Sequence, residues 1–195
     1  SEQALLGVGR AEAAQLGERE QRQVDRIARA AEEMRELVGT FLLLARAKGQ
    51  PVQMTGSASL LSIAQEQAER WQDAFAEKGL GFELILEGED QGQYHPGLLG
   101  TVISNLLRNA LHYTEQGRVR LVLEASGFRV EDTGPGVPQD QQRDIFEPFV
   151  RGTEARGEGL GLGLSLVKRI CAHQGWTVSM HSPAAGGSCF EVHLS

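Results

Sequence analysis

The chain has 195 residues, 41% hydrophobic and 23% charged, and its 26 acidic against 19 basic side chains give a formal net charge of −7. That length supports one or two compact domains burying roughly 70% of the extended chain's surface, and the composition is that of an ordinary soluble globular protein. The longest apolar run, Phe41 to Ala45, is far below the ~20 residues a bilayer span needs, two cysteines (Cys171 and Cys189) make no disulfide framework, and the acidic balance argues against nucleic-acid binding.

Residues 1–50 carry eight basic and eight acidic side chains, so the whole −7 belongs to residues 51–195. The pattern changes at Gly49-Gln50-Pro51, which marks a boundary. No basic, hydrophobic N-terminal signal is present. Residues 1–48 contain no proline and are rich in Ala, Glu, Gln, Arg and Leu, all good helix formers. A short helix is predicted over Glu2 to Leu16, turning near Gly17-Glu18 into a longer one. From Val24 the apolar positions follow a heptad: Val24, Ala31, Val38 and Ala45 in one set, Ile27, Met34 and Phe41 in the other. This is the seam of a coiled coil or helical bundle. Leu37 and Leu44 widen the stripe, which favours a four-helix dimer over a single helix docked on the neighbouring domain.

After a linker at 51–56, Ser59 to Lys78 reads as a helix with Leu60, Ile63, Ala64, Ala68, Trp71 and Phe75 on one side. Phe82 to Leu86 alternates like a strand. A second helix is predicted from Pro96, a first-turn residue, through Tyr113. Arg118 to Glu124 and Phe128 to Asp132 form two strands across Ala125-Ser126-Gly127. A helix over Leu162 to Gln174 follows a glycine-rich loop, and strands at Thr177 to Ser182 and Ser188 to Leu194 close the pattern. Segregated helices and mostly antiparallel strands imply an α+β two-layer sandwich.

Three clusters carry chemistry. In Asn105-Leu106-Leu107-Arg108-Asn109-Ala110-Leu111-His112-Tyr113-Thr114, the two asparagines are four apart and share a helix face. Their amide oxygens suit Mg²⁺ or, equally, hydrogen bonds to a loop. Asp132-Thr133-Gly134-Pro135-Gly136 directly follows a strand, where a carboxylate can accept from an exocyclic amine and glycines admit a flat ligand; it is also a good turn. Gly157-Glu158-Gly159-Leu160-Gly161-Leu162-Gly163-Leu164 opens a helix, whose backbone N–H groups form an anion site. No Gly-Lys-Ser/Thr follows, so it is not a Walker A loop.

In this order the clusters resemble the catalytic core of a sensor histidine kinase. Asn105 to Thr114 is similar to the family's N box and Asp132 to Gly136 to its G1 box. Ile145-Phe146-Glu147-Pro148-Phe149 is similar to its F box, Gly157 to Leu164 to its G2 box, and Gly186-Gly187-Ser188-Cys189-Phe190 to its closing glycine motif. Residues 57–195 resemble the Bergerat-fold ATP-binding domain, and the heptad helix resembles the second dimerisation helix. The resemblance implies ATP and Mg²⁺ as cofactors. Asn109 would hold Mg²⁺, and Asn105 would lie near the γ-phosphate as the catalytic position. His112 would stand beside a phosphate and Tyr113 against ribose or adenine. Asp132 would accept the adenine amino hydrogen, with Gly134 and Gly136 around the base. Phe146 and Phe149 would anchor a lid over about 150–158 containing a phosphate contact at Arg151. Gly159, Leu160, Gly161 and Leu162 would close on the phosphates.

The resemblance further implies a homodimer through the N-terminal helices, a response regulator as partner, no nucleic acid, and a cytoplasmic domain of an inner-membrane sensor attached only through upstream segments. No histidine precedes His95, so the phosphoacceptor is expected upstream of Ser1. His173, His181 and His193 read as structural. Two alternatives stay open: a nucleotide-sensing dimer without phosphotransfer, or an ATPase of the same superfamily. The latter would want a glutamate base where this chain has Asn105.

Overall fold

A computed structural model describes scattered positions between 17 and 38, and then residues 56–142, 144–147, 162–184 and 186–194. The Glu2–Leu16 helix, the seam residues Phe41 and Ala45, and the linker residues 51–55 lie outside the described residues. The described positions from Gly17 to Val38 are helical and exposed. Among them the predicted seam residues Val24, Ile27, Met34 and Val38 are 58%, 70%, 59% and 58% exposed.

The folded body begins with α1 (Leu60–Glu77), capped by the Ser59 hydroxyl accepting from the Ser62 amide. Strand β1 (Gly81–Leu86) leads to α2 (Pro96–Tyr113), then β2 (Arg118–Glu124), β3 (Gly127–Asp132), a 3₁₀ turn at Asp144–Phe146, α3 (Gly163–Gln174), β4 (Thr177–His181) and β5 (Ser188–His193). The elements predicted between Ser59 and Leu194 form, with ends moved by a residue or so. Helix α2 starts at Pro96 because proline's fixed φ suits a first turn and His95 Nδ1 accepts from the Leu98 amide. Gly175, at φ +74, closes α3 in the left-handed conformation glycine adopts cheaply.

The sheet order is β1-β2-β3-β5-β4. All pairs are antiparallel except β1 with β2, which run parallel because α2 crosses over between them. The strand period of two sorts side chains, with Val122 the one buried aliphatic on the outer face among the described strand residues. Val119, Leu121, Leu123, Phe128, Val130, Phe190 and Val192 join the core on the helical side. Arg120, Glu124, Arg129, Glu131, Cys189 and Glu191 occupy the alternate positions on the other face. Helix α2 is the centre of the helical layer, with Leu99, Val102, Ile103, Leu106 and Leu107 all at 0% exposure. A helix apolar on most sides is a buried helix, and α1 and α3 both pack against it. Between α1 and α2 the Trp71 indole donates to the Ser104 hydroxyl at 3.2 Å, giving a position expected to be purely apolar a polar partner.

Candidate functional site

The alternation in β3 that buries Phe128 and Val130 also turns Asp132 towards the helical layer. Its carboxylate is buried, at 8% exposure. Oδ1 accepts from the Gly134 amide at 2.9 Å and the Ser188 amide at 3.3 Å, so the loop after β3 and the start of β5 fix it together. Burial raises its pKa above the ordinary carboxylate value, while those amide bonds pull the other way.

The loop beyond Asp132 is held from several sides. The Ser182 hydroxyl accepts from the Val137 amide at 2.8 Å and donates to the Val137 carbonyl at 3.2 Å. Thr133 Oγ1 accepts from the Arg118 amide at 3.0 Å and lies 3.1 Å from the Gln116 carbonyl. Gly187, at φ +89, packs its backbone on the Asp132 carbonyl so closely that a Cβ there would collide with it. Ser182 carried no sequence signal; Thr133 sits in the Asp132–Gly136 cluster, and Ser188 and Gly187 sit in the closing glycine motif.

Two further approaches join the clusters. A Cβ on Gly134 would meet Asp132 Oδ1 at 2.9 Å and the Tyr113 carbonyl at 3.0 Å, so the loop after β3 lies against the end of α2. A Cβ on Gly163 would meet Asn105 Oδ1 at 2.9 Å, so the first residue of α3 lies against the middle of α2. Asn105 is buried, and its Nδ2 donates to the Thr101 carbonyl one turn back, at 2.8 Å. Asn109, one turn on, is half-buried, as is Tyr113; His112 is exposed and meets the Tyr113 ring edge-on. Lys78 caps the end of α2 through the Leu111 carbonyl at 2.8 Å.

Phe146 is buried and sits edge-on to Phe190, with ring centres 6.1 Å apart. Lys168 on α3 reaches Glu147 at 2.7 Å, an exposed pair worth at most about 1 kcal/mol. Leu162 precedes α3 and offers no side-chain cap to the first-turn amides. Phe149, Arg151, Gly159, Leu160 and Gly161, and the proposed lid over 150–158, lie outside the described residues.

The buried polar groups at this place leave room for a ligand's hydrogen bonds. Thr114 Oγ1 is wholly buried without a hydrogen-bond partner among the described residues, which costs about 1–3 kcal/mol until something supplies one. A Cβ on Gly134 would lie 3.5 Å from that hydroxyl, and glycine keeps the space open. A buried carboxylate can accept from an amine, and the amides at a helix start can face an anion.

Residues 95–195 match the family described as histidine kinase-, DNA gyrase B-, and HSP90-like ATPase. The chain belongs to this family. The virulence sensor protein BvgS of Bordetella bronchiseptica is 32% identical over 181 residues, covering 85% of this chain and 14% of that protein. The sensor protein QseC of Salmonella typhimurium is 44% identical over 101 residues, covering 51% of this chain and 22% of that protein. Full-length ShkA, solved in complex with AMPPNP, is 29% identical with a TM-score of 0.66, covering 80% of this chain and 34% of that one. The chain thus spans less than a quarter of the curated relatives' length. Its folded part is a histidine-kinase-type ATP-binding catalytic domain with the Bergerat fold. Among the described residues no helix is long and apolar enough to cross a membrane.

Proposed function

We propose that this chain is the ATP-binding and phosphotransfer core of a two-component sensor kinase. It works as a homodimer on the cytoplasmic side of an inner-membrane sensor, and delivers the γ-phosphoryl group to a histidine outside this chain and then to a response regulator. One observation carries the reading: the Asp132 loop and the start of α3 both lie against the asparagine helix, about two turns apart, through Gly134 against Tyr113 and Gly163 against Asn105. ATP supplies the phosphoryl donor when bound.

In this reading Asp132 accepts from the adenine amine, with Gly134 and Gly136 giving the base room and Tyr113 flanking base or ribose. Asn109 offers its amide oxygen to Mg²⁺, a hard ion that keeps waters and shares phosphate oxygens. His112 lies beside a phosphate. The α3 start, with Gly159, Leu160, Gly161 and Leu162, receives the phosphates, and Arg151 reaches them from a lid anchored by Phe146. Asn105 positions the phosphate end by filling the space between α2 and Gly163. Its neutral amide takes no proton from water, so steady-state phosphate release is slow. Catalysis rests on positioning and charge stabilisation. The division into a dimerisation segment over 1–50, a linker over 51–56 and an ATP-binding domain over 57–195 belongs to the same proposal.

The test uses γ-labelled ATP and Mg²⁺ with this chain and with a version extended upstream to include a histidine. Acid-labile label on the extended version alone is the expected result. Nucleotide binding with no label on either sinks phosphotransfer and leaves a sensing module. In parallel, Asn109→Ala is expected to weaken Mg-nucleotide binding at least about tenfold while leaving binding in chelator unchanged. Full Mg dependence in that variant removes Asn109 from its role.

A further inference from the structure

The face of the sheet turned away from the nucleotide pocket carries a side-chain cluster that phosphotransfer does not use. His181 on β4 and Cys189 on β5 are direct cross-strand partners, and Glu191 lies two residues along β5 on the same face. The ligand atoms of all three lie within 4.8 Å of one another. Glu191 Oε1 is 3.8 Å from His181 Nδ1 and 4.0 Å from Cys189 Sγ.

From this geometry we infer that His181, Cys189 and Glu191 form a binding site for a borderline-soft divalent cation of the Zn²⁺ type, with water completing a tetrahedron. The donor set selects the ion: a thiolate, an imidazole and one carboxylate suit Zn²⁺, whereas Mg²⁺ and Ca²⁺ want oxygen ligands. Bond lengths of about 2.0–2.3 Å require the three atoms to draw together somewhat. The His181 and Glu191 side chains, 53% and 35% exposed, have the freedom to do so, while Cys189 is fixed on a paired strand.

The surroundings favour a cation. Glu131 stands directly across from Cys189 on β3. Glu131 is itself held by Arg120 at 3.2 Å and Arg129 at 2.7 Å, so it does not compete as a ligand, and around Cys189 the carboxylates of Glu191, Glu131 and Glu124 outnumber the Arg129 cation. Burial and the neighbouring carboxylates hold the Cys189 thiol protonated at neutral pH, pushed up to about 12. The entering ion therefore forms a metal–sulfur bond as the S–H bond breaks, and the proton leaves to the buffer. Once bound, it ties β4 to β5 one residue from Ser188, whose amide holds Asp132.

Co²⁺ is the probe, added to the full chain without nucleotide and with a phosphine reductant. The expected result is a saturable near-ultraviolet thiolate-to-cobalt absorption that collapses when Zn²⁺ is added. It should vanish in Cys189→Ser, persist in Cys171→Ser, and need at least about tenfold more Co²⁺ in His181→Ala. His181 is exposed, so that last variant reports on the site even if Cys189→Ser folds poorly. No absorption in the parent chain, absorption surviving in Cys189→Ser, or unchanged affinity in His181→Ala each overturns the site.

Discussion

Burial holds the Asp132 carboxyl above its ordinary 3.8, with the Gly134 and Ser188 amides opposing the shift. A folded-state pKa above the unfolded one means the folded chain prefers the protonated form. Its contribution to stability is therefore fully present below the unfolded pKa and is lost as pH rises through the folded one. At pH 7 the carboxylate is consequently a cost, and Asp132→Asn is expected to stabilise the fold there. Urea midpoints across pH should show that gain shrinking to nothing below about pH 4; a gain independent of pH would refute the burial argument. The same substitution should weaken nucleotide binding at least about tenfold, since hydrogen bonds to charged groups contribute about 1.5–3 kcal/mol. A different residue carries the backbone cost. Gly187→Ala puts a Cβ onto the Asp132 carbonyl at φ +89, and should lose about 2 kcal/mol or more in urea unfolding.

Among the elements, α2 was the most legible, because a first-turn proline and a run of core residues at helical spacing act locally. The strands were legible from their alternation, but the parallel β1–β2 pair was not: orientation depends on a crossover, which periodicity does not encode. The clusters of Asn, Asp and Gly could be singled out by chemistry and order. Their convergence came only with the family resemblance, since nothing local encodes the packing of α3 on α2 that brings Gly163 to Asn105. Ser182 was invisible for a similar reason. It is an ordinary serine until the end of β4 brings it to Val137, across 45 residues of sequence. Ser182→Ala should cost about 1 kcal/mol of stability and speed hydrogen exchange at the Val137 amide. Unchanged protection there would show the loop to be held by its other contacts alone.

For the whole molecule, the proposed homodimer is the feature to test. Val24, Ile27, Met34 and Val38 repeat at heptad spacing and are all exposed in a single chain, an arrangement that the proposed dimer would cover. Light scattering should give twice the 21.2 kDa chain mass, and Ile27→Glu should return it to one chain with nucleotide affinity intact. A parent chain that is already monomeric at working concentration would count against the dimer.

The bond from the Ser188 amide to Asp132 spans 56 residues, and this has a consequence for the protein's birth. Chains fold during synthesis from the N-terminal side, so helices and the first strands can assemble while the rest is still being translated. The pocket cannot. Asp132 gains its second amide, and its loop gains Gly187, only after the ribosome has passed Ser188. The site around Asp132 is therefore among the last parts of the domain to be completed, when β5 joins β3.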